Sequence, residues 1–315
     1  MTTQHSATDD QLELTGVVAP LTYSGPYPCL GLEFRHLKQN DNMQPGGMAI
    51  NFMMDTGSNI NAIQKNLSKS LKLPKESIAA IVSAGAGGSF EAGYRVMLGD
   101  CHLSNMPKGY DSLFMRDLTA ASIDMGLVVA EGLLGTPFFE CFSAVEFDWY
   151  GTDGDPPTVI FYYKDFPENA KKNAVCVPLE TDSFFNNVPI VNVSINGIDV
   201  RAMIDTGSSI SIVSADIPES AGLERLKKSV KVAGIDKRIF ELAQVDNATV
   251  TICNVTSLDA NRLFIGEIPG MRTATAKKST AKMPQAVIGL DVLKQMYRVI
   301  LRLHAKELWI EEMPV

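Results

Sequence analysis

The segment Met53-Met54-Asp55-Thr56-Gly57-Ser58 recurs 150 positions later as Met203-Ile204-Asp205-Thr206-Gly207-Ser208, and this repetition constrains the fold more than any other feature of the chain. Each copy follows an apolar, strand-like run (residues 49–54 and 200–204). Each precedes a polar and apolar mixture (59–63 and 209–213) that reads as a returning strand. Further on, each half carries two apolar residues and a glycine, Leu133-Leu134-Gly135 and Val287-Ile288-Gly289, at separations of 135 − 55 = 80 and 289 − 205 = 84 from the aspartate. A short helical pattern follows each glycine, at 136–142 and 290–296, and then another apolar strand. With the order of elements duplicated, the halves are expected to adopt the same fold and to face each other about a pseudo-twofold axis.

An Asp-Thr-Gly loop combined with an apolar-apolar-Gly segment in each of two lobes resembles the aspartic proteases, and the resemblance spans roughly residues 26–311. It implies an all-β, bilobal fold of two retropepsin-like β-barrel lobes with pseudo-twofold symmetry and a few short helices. Retropepsins supply one lobe per chain and dimerise, whereas pepsin-like enzymes carry both in one chain. The similar length of the two halves looks more like a tandem retropepsin than like pepsin, whose lobes are longer and more divergent. The expected division is a flexible N-terminal segment (1–25), a first lobe (26–164), an interlobe linker (165–174) and a second lobe (175–315).

Within each lobe a strand leads to the aspartate: residues 27–34 alternate, and residues 188–195 and 198–204 flank Asn196-Gly197, a strong two-residue hairpin signal. Helices are expected at 65–71 and 215–223, each followed by a glycine-containing hairpin, at 83–94 and 232–240. In retropepsins the equivalent hairpin is a flap that closes over substrate, and glycine suits a mobile tip. By that resemblance Gly87, Gly88, Phe90, Tyr94, Gly234 and Phe240 are substrate or flap candidates. Phe90, Tyr94 and Phe240 read more readily as packed strand residues. Residues 150–157 read as a loop between strands at 144–149 and 158–162.

A chain of 315 residues with 45% hydrophobic content can bury a substantial core in two ordinary domains. A formal net charge of −8 argues against nucleic acid as a partner, since phosphate binding needs clustered Lys and Arg. The polar N-terminus lacks a signal-peptide core and no segment reaches the length of a membrane span, so no membrane partner is expected; this favours the cytosol or an organelle lumen but leaves the compartment open, because a chain whose signal or transit peptide had been removed would read the same. The five cysteines, at 29, 101, 141, 176 and 253, are expected to be reduced core residues, since a chain of this size needs no staples. The four histidines show no metal-ligand spacing, and neither a nucleophile elbow nor a phosphate-cradling loop appears, so neither metal nor cofactor is expected.

Two carboxylates sharing one proton can supply both the base that activates water and the acid that protonates the scissile amide. Asp55 and Asp205 are therefore the expected catalytic pair of an aspartic endopeptidase acting on a polypeptide substrate, with one chain forming the whole site. By the same resemblance Thr56 and Thr206 hydrogen-bond across the lobe interface, Gly57 and Gly207 allow the tight loop, and Gly135 and Gly289 pack beneath it. Ser58 and Ser208 stand where a hydroxyl could donate to the carboxylates and draw activity towards acid pH, or where it could merely complete the loop's hydrogen bonds. The alternative function is a catalytically silent version of the fold that binds a peptide or protein partner.

Overall fold

A computed structural model describes residues 16–37, 47–76, 94–104, 106, 113–126, 129–151, 156–181, 188–217, 220–234, 239–253, 255–256, 263–267 and 284–313. The first half contains β1 (Gly16–Pro20), β2 (Thr22–Ser24), β3 (Tyr27–Phe34), β4 (Met48–Met54), β5 (Ala62–Gln64), α1 (Lys65–Ser70), β6 (Lys75–Glu76), β7 (Tyr94–Leu103), β8 (Phe114–Ile123), β9 (Gly132–Leu134), α2 (Thr136–Phe139), β10 (Ala144–Asp148) and β11 (Thr158–Tyr162). The second contains β12 (Ala174–Pro178), β13 (Glu180–Thr181), β14 (Pro189–Ile195), β15 (Ile198–Ile204), β16 (Ile212–Val213), β17 (Glu224–Ala233), β18 (Ile239–Asp246), β19 (Val250–Ile252), β20 (Val255–Thr256), β21 (Phe264–Ile265), β22 (Ala286–Ile288), α3 (Leu290–Leu293), β23 (Met296–Arg302) and β24 (Glu307–Glu312).

These strands form three sheets. The first lobe is an eight-stranded sheet in the order β2-β3-β4-β9-β5-β8-β7-β6, drawn round on itself by a β3–β7 pairing, and the second lobe repeats the plan from β17 to β20 through the order β18-β21-β16-β22-β15-β14-β19. Parallel pairing sets Met53 and Met54 against Leu133 and Leu134, and Met203 and Ile204 against Val287 and Ile288. Two motifs some eighty residues apart in sequence are thus neighbours in each lobe. The aspartate-bearing strands are buried on both faces, which is why they read as near-continuous apolar runs. Ile50, Phe52 and Met54 face the main core with Val200, Ala202 and Ile204, while Met53 and Met203 turn the other way into two smaller apolar clusters.

The third sheet belongs to neither lobe. Its order β1-β11-β10-β23-β24-β12 takes three strands from each half, and β10 and β23 pair antiparallel at its centre, Glu146 opposite Ile300 and Phe147 opposite Val299. This corrects the expected boundaries: residues 16–24, assigned to a flexible N-terminal segment, form β1 and β2, and the lobes meet through shared sheet rather than through a linker alone. Within the linker, Glu168–Lys171 is a 3-10 turn that buries Ala170. Residues expected as a helix at 215–223 form isolated turns where described, consistent with Pro218 in the middle of the segment and Gly222 at a left-handed φ of +60°. The Asn196-Gly197 hairpin is as expected, with both residues left-handed at φ 48° and 83°.

All five cysteines are free thiols; Cys29 and Cys101 are buried, Cys176 is half-buried, and Cys141 and Cys253 are exposed, so core burial describes two of them. No helix among the described residues is long and apolar enough to cross a membrane.

Candidate active site

Each aspartate emerges at the end of its strand, held by its own amide: Asp55 N–H donates to Leu134 O (2.9 Å) and Asp205 N–H to Ile288 O (3.0 Å). The two loops then lock together. Thr56 N–H donates to Thr206 Oγ1 (3.1 Å) while Thr206 N–H donates to Thr56 Oγ1 (3.0 Å). Each hydroxyl passes its own proton on, Thr56 to Ile204 O (2.8 Å) and Thr206 to Met54 O (2.7 Å). Both threonines are about 1% exposed, so four hydrogen bonds are traded across the interface where water cannot compete.

The glycines fix how close the carboxyls come. A methyl group on Gly57 would lie 2.5 Å from Cγ of Asp205, and one on Gly207 2.3 Å from Cγ of Asp55, so each aspartate rests on the other lobe's glycine. The two carboxyls thus come close enough to act on each other directly. Burial pushes Asp55 well above the usual carboxylate range, reinforced by the charge of Asp205 and by hydrogen bonding to it. Burial also raises Asp205, against the opposing pull of its hydrogen bonds to Asp55 and to the amides of Gly207, Ser208 and Gly57. Two anions cannot occupy this space together, and one shared proton relieves the conflict.

The serines behave differently from the tuning role considered for them. Ser58 Oγ donates to Ile60 O (3.0 Å) and Ser208 Oγ to Ile210 O (2.7 Å), so both hydroxyls brace the loop's own backbone. It is the backbone amides of Ser58 and Ser208, with those of the glycines, that act on the carboxylates. Beneath the loops, a methyl on Gly135 would lie 2.2 Å from Ile60 O, and one on Gly289 2.4 Å from Ile210 O. Only glycine fits there.

A supporting layer lay outside the sequence expectations. Gly135 N–H donates to Asn61 Oδ1 (3.0 Å) and Gly289 N–H to Ser211 Oγ (2.9 Å). Ser211 in turn donates to Asp291 Oδ1 (2.6 Å) and its amide to Oδ2 (3.0 Å), while burial raises the Asp291 carboxyl. The available signal was a polar residue six positions after each aspartate, set among apolar neighbours. Asn59, 6% exposed, keeps an amide oxygen with no partner among the described residues.

The flap candidates divide. Gly87, Gly88 and Phe90 lie outside the described residues. Tyr94 packs on the main core beneath the Lys75 ammonium, 4.3 Å from the ring centroid, as a strand residue does. The second hairpin forms as β17 and β18, with Gly234 in the turn region after β17 and Phe240 paired opposite Val232. Phe240 and Val232 rest on the apolar cluster that contains Met203, and neighbouring Ile239 is 69% exposed. Among the described residues no group of three His, Cys, Asp or Glu side chains is placed to hold a metal ion.

Comparison with known proteins finds an aspartyl protease model in each half. A family model described as "Aspartyl protease" matches residues 43–138, which include Asp55 and Gly135. One described as "gag-polyprotein putative aspartyl protease" matches residues 191–295, which include Asp205 and Gly289. No curated protein matches the sequence. Among solved structures, the chain is similar to basic 7S globulin from soybean (TM-score 0.51, 11% identity, 94% of each chain) and to conglutin gamma, a basic 7S globulin from lupine seeds (TM-score 0.53, 10% identity, 95% of each chain). At such identities the likeness speaks to the two-lobed fold alone.

Proposed function

We propose, for a chain that belongs to the aspartic protease family through a domain in each half, that it is an endopeptidase whose Asp55 and Asp205 jointly activate water. The observation that carries this reading is the reciprocal contact of Gly57 with Asp205 and Gly207 with Asp55, which brings the two acids together where burial and mutual repulsion favour a single shared proton. One carboxylate takes a proton from water as its oxygen attacks the scissile carbonyl carbon, and the protonated partner gives its proton to the carbonyl oxygen. Collapse of the tetrahedral intermediate then delivers a proton to the departing amine, and the C–N bond breaks.

The substrate is an extended polypeptide lying along the cleft between the lobes. The β17–β18 hairpin, with exposed Ile239, supplies an apolar cover. Both acids come from one chain, so the proposed enzyme acts as a monomer, and the pair handles both proton transfers without a cofactor.

The test is turnover of a peptide library across pH, with and without pepstatin, by wild type, Asp55→Asn and Asp205→Asn. Each substitution is expected to lower turnover by at least about 10²–10⁴, the usual worth of a positioned acid or base, while leaving the fold intact. Peptide binding by wild type without cleavage would instead favour a silent binding protein.

A further inference from the structure

Cys253 occupies a position where neither packing nor turn formation asks for a thiol. It opens the two-residue turn between β19 and β20, with Ile252 paired to Val255, at a left-handed φ of 45°. In such hairpins Asn, Asp and Gly are the ordinary choices. The side chain is exposed, yet its Sγ lies 4.0 Å from the carbonyl oxygen of Cys176 in β12. Burial raises the half-buried Cys176 thiol, which lies within electrostatic reach of Glu307, Arg302, Cys253 and Lys171. The remaining cysteines have other surroundings: Cys29 and Cys101 are buried in different apolar clusters, and Cys141 Sγ donates to Pro137 O at 3.4 Å.

We propose that Cys176 and Cys253 form a redox-active disulfide site, oxidised by a small-molecule disulfide such as oxidised glutathione. The exposed Cys253 thiolate attacks one glutathione sulfur, forming a mixed disulfide and releasing glutathione as its thiolate. Cys176 then loses its proton, attacks the Cys253 sulfur and releases the second glutathione, so that two thiols and one disulfide become one protein disulfide and two glutathione thiols. The bond spans 77 positions of sequence. Because β12 is the last strand of the central sheet and β20 the last of the second lobe's sheet, it would join the open edges of two separate sheets. A crosslink closing so long a loop restricts the unfolded chain and raises the melting temperature.

The experiment incubates the folded full-length chain in reduced or in oxidised glutathione, blocks free thiols, and measures intact mass, linked peptides and melting temperature. Oxidation is expected to reduce the free thiols from five to three, to yield a Cys176–Cys253 peptide, and to raise the melting temperature reversibly. Cys253→Asn, a residue suited to the left-handed turn, and Cys176→Ala should fold and show neither the link nor the shift. Persistence of all five thiols in the oxidised buffer, a link between any other pair, or accumulation of only the Cys253–glutathione adduct would overturn the proposal.

Discussion

The hydroxyls of Ser58 and Ser208 sit three positions after the carboxyls yet donate to Ile60 O and Ile210 O, an arrangement that separates loop support from proton chemistry. Ser58→Ala and Ser208→Ala are expected to cost about 1 kcal/mol of stability each, the net worth of one hydrogen bond, and to leave both limbs of the pH–rate profile in place. Movement of either limb in the folded double variant would show that the hydroxyls do tune the pair. The carboxyls themselves set a different pH dependence. Burial raises both in the folded protein, whereas in the unfolded chain they titrate near about 3.9. The folded state therefore holds their protons more tightly. The stability they contribute is complete below the unfolded value and is lost as pH rises through the folded values. Asp55→Asn has no such proton to lose, so it should melt higher than wild type at neutral pH and converge with it in acid. Parallel melting curves across that range would contradict the raised carboxyls.

At the scale of elements, the central sheet carries a charge network that the sequence did not announce. Arg298 on β23 reaches Glu146 on β10 at 2.9 Å and also pairs with Glu311 on β24, while Tyr162 Oη on β11 donates to Glu146 Oε2 at 2.9 Å. The Glu146 side chain is 3% exposed, so the guanidinium is its compensation for lost water. Arg298→Met is expected to destabilise the protein by about 3–5 kcal/mol, as for other buried pairs broken from one side, measured by urea unfolding. A loss under about 1 kcal/mol, the range of an exposed pair, would mean that the network is solvated. Strands with a clear alternation or a clear turn, such as β3 and the β14–β15 hairpin, were legible in the sequence. Short β1 and β2 were not, because their hydrogen-bonding partners β11 and β3 are what make them strands.

Across the whole molecule, the threonine exchange and the central sheet make the halves one body. Thr206→Val removes the donor to Met54 O and the acceptor for Thr56 N–H at once, leaving buried groups of the opposite lobe unpaired. The expected cost is about 1–3 kcal/mol per stranded group. It should appear as a lowered midpoint of a single unfolding transition, with activity lost in proportion to the loosened loops. Two resolved transitions, with only one of them displaced, would show that the lobes unfold separately. The N-terminal strands add to this union: Lys294 Nζ, at the end of α3, donates to Pro26 O (2.9 Å) and lies 4.1 Å from the centroid of the Tyr23 ring.

Duplication by itself determined that there are two equivalent halves, that Asp55 and Asp205 end equivalent strands, and that Gly135 and Gly289 hold equivalent places, because an apolar run, a carboxylate and a glycine each carry a local physical requirement that any copy must repeat; the family resemblance placed the glycines beneath the loops. Tertiary structure alone decided that the serine hydroxyls turn to backbone carbonyls, that Asp291 braces Ser211 in one lobe where the Thr119 carbonyl steadies Asn61 in the other, that the sheet between the lobes draws on both halves, and that Cys176 meets Cys253. Most of these contacts join residues dozens to well over a hundred positions apart, and the serine bonds depend on which rotamer the finished loop permits. Local propensity carries no information about either.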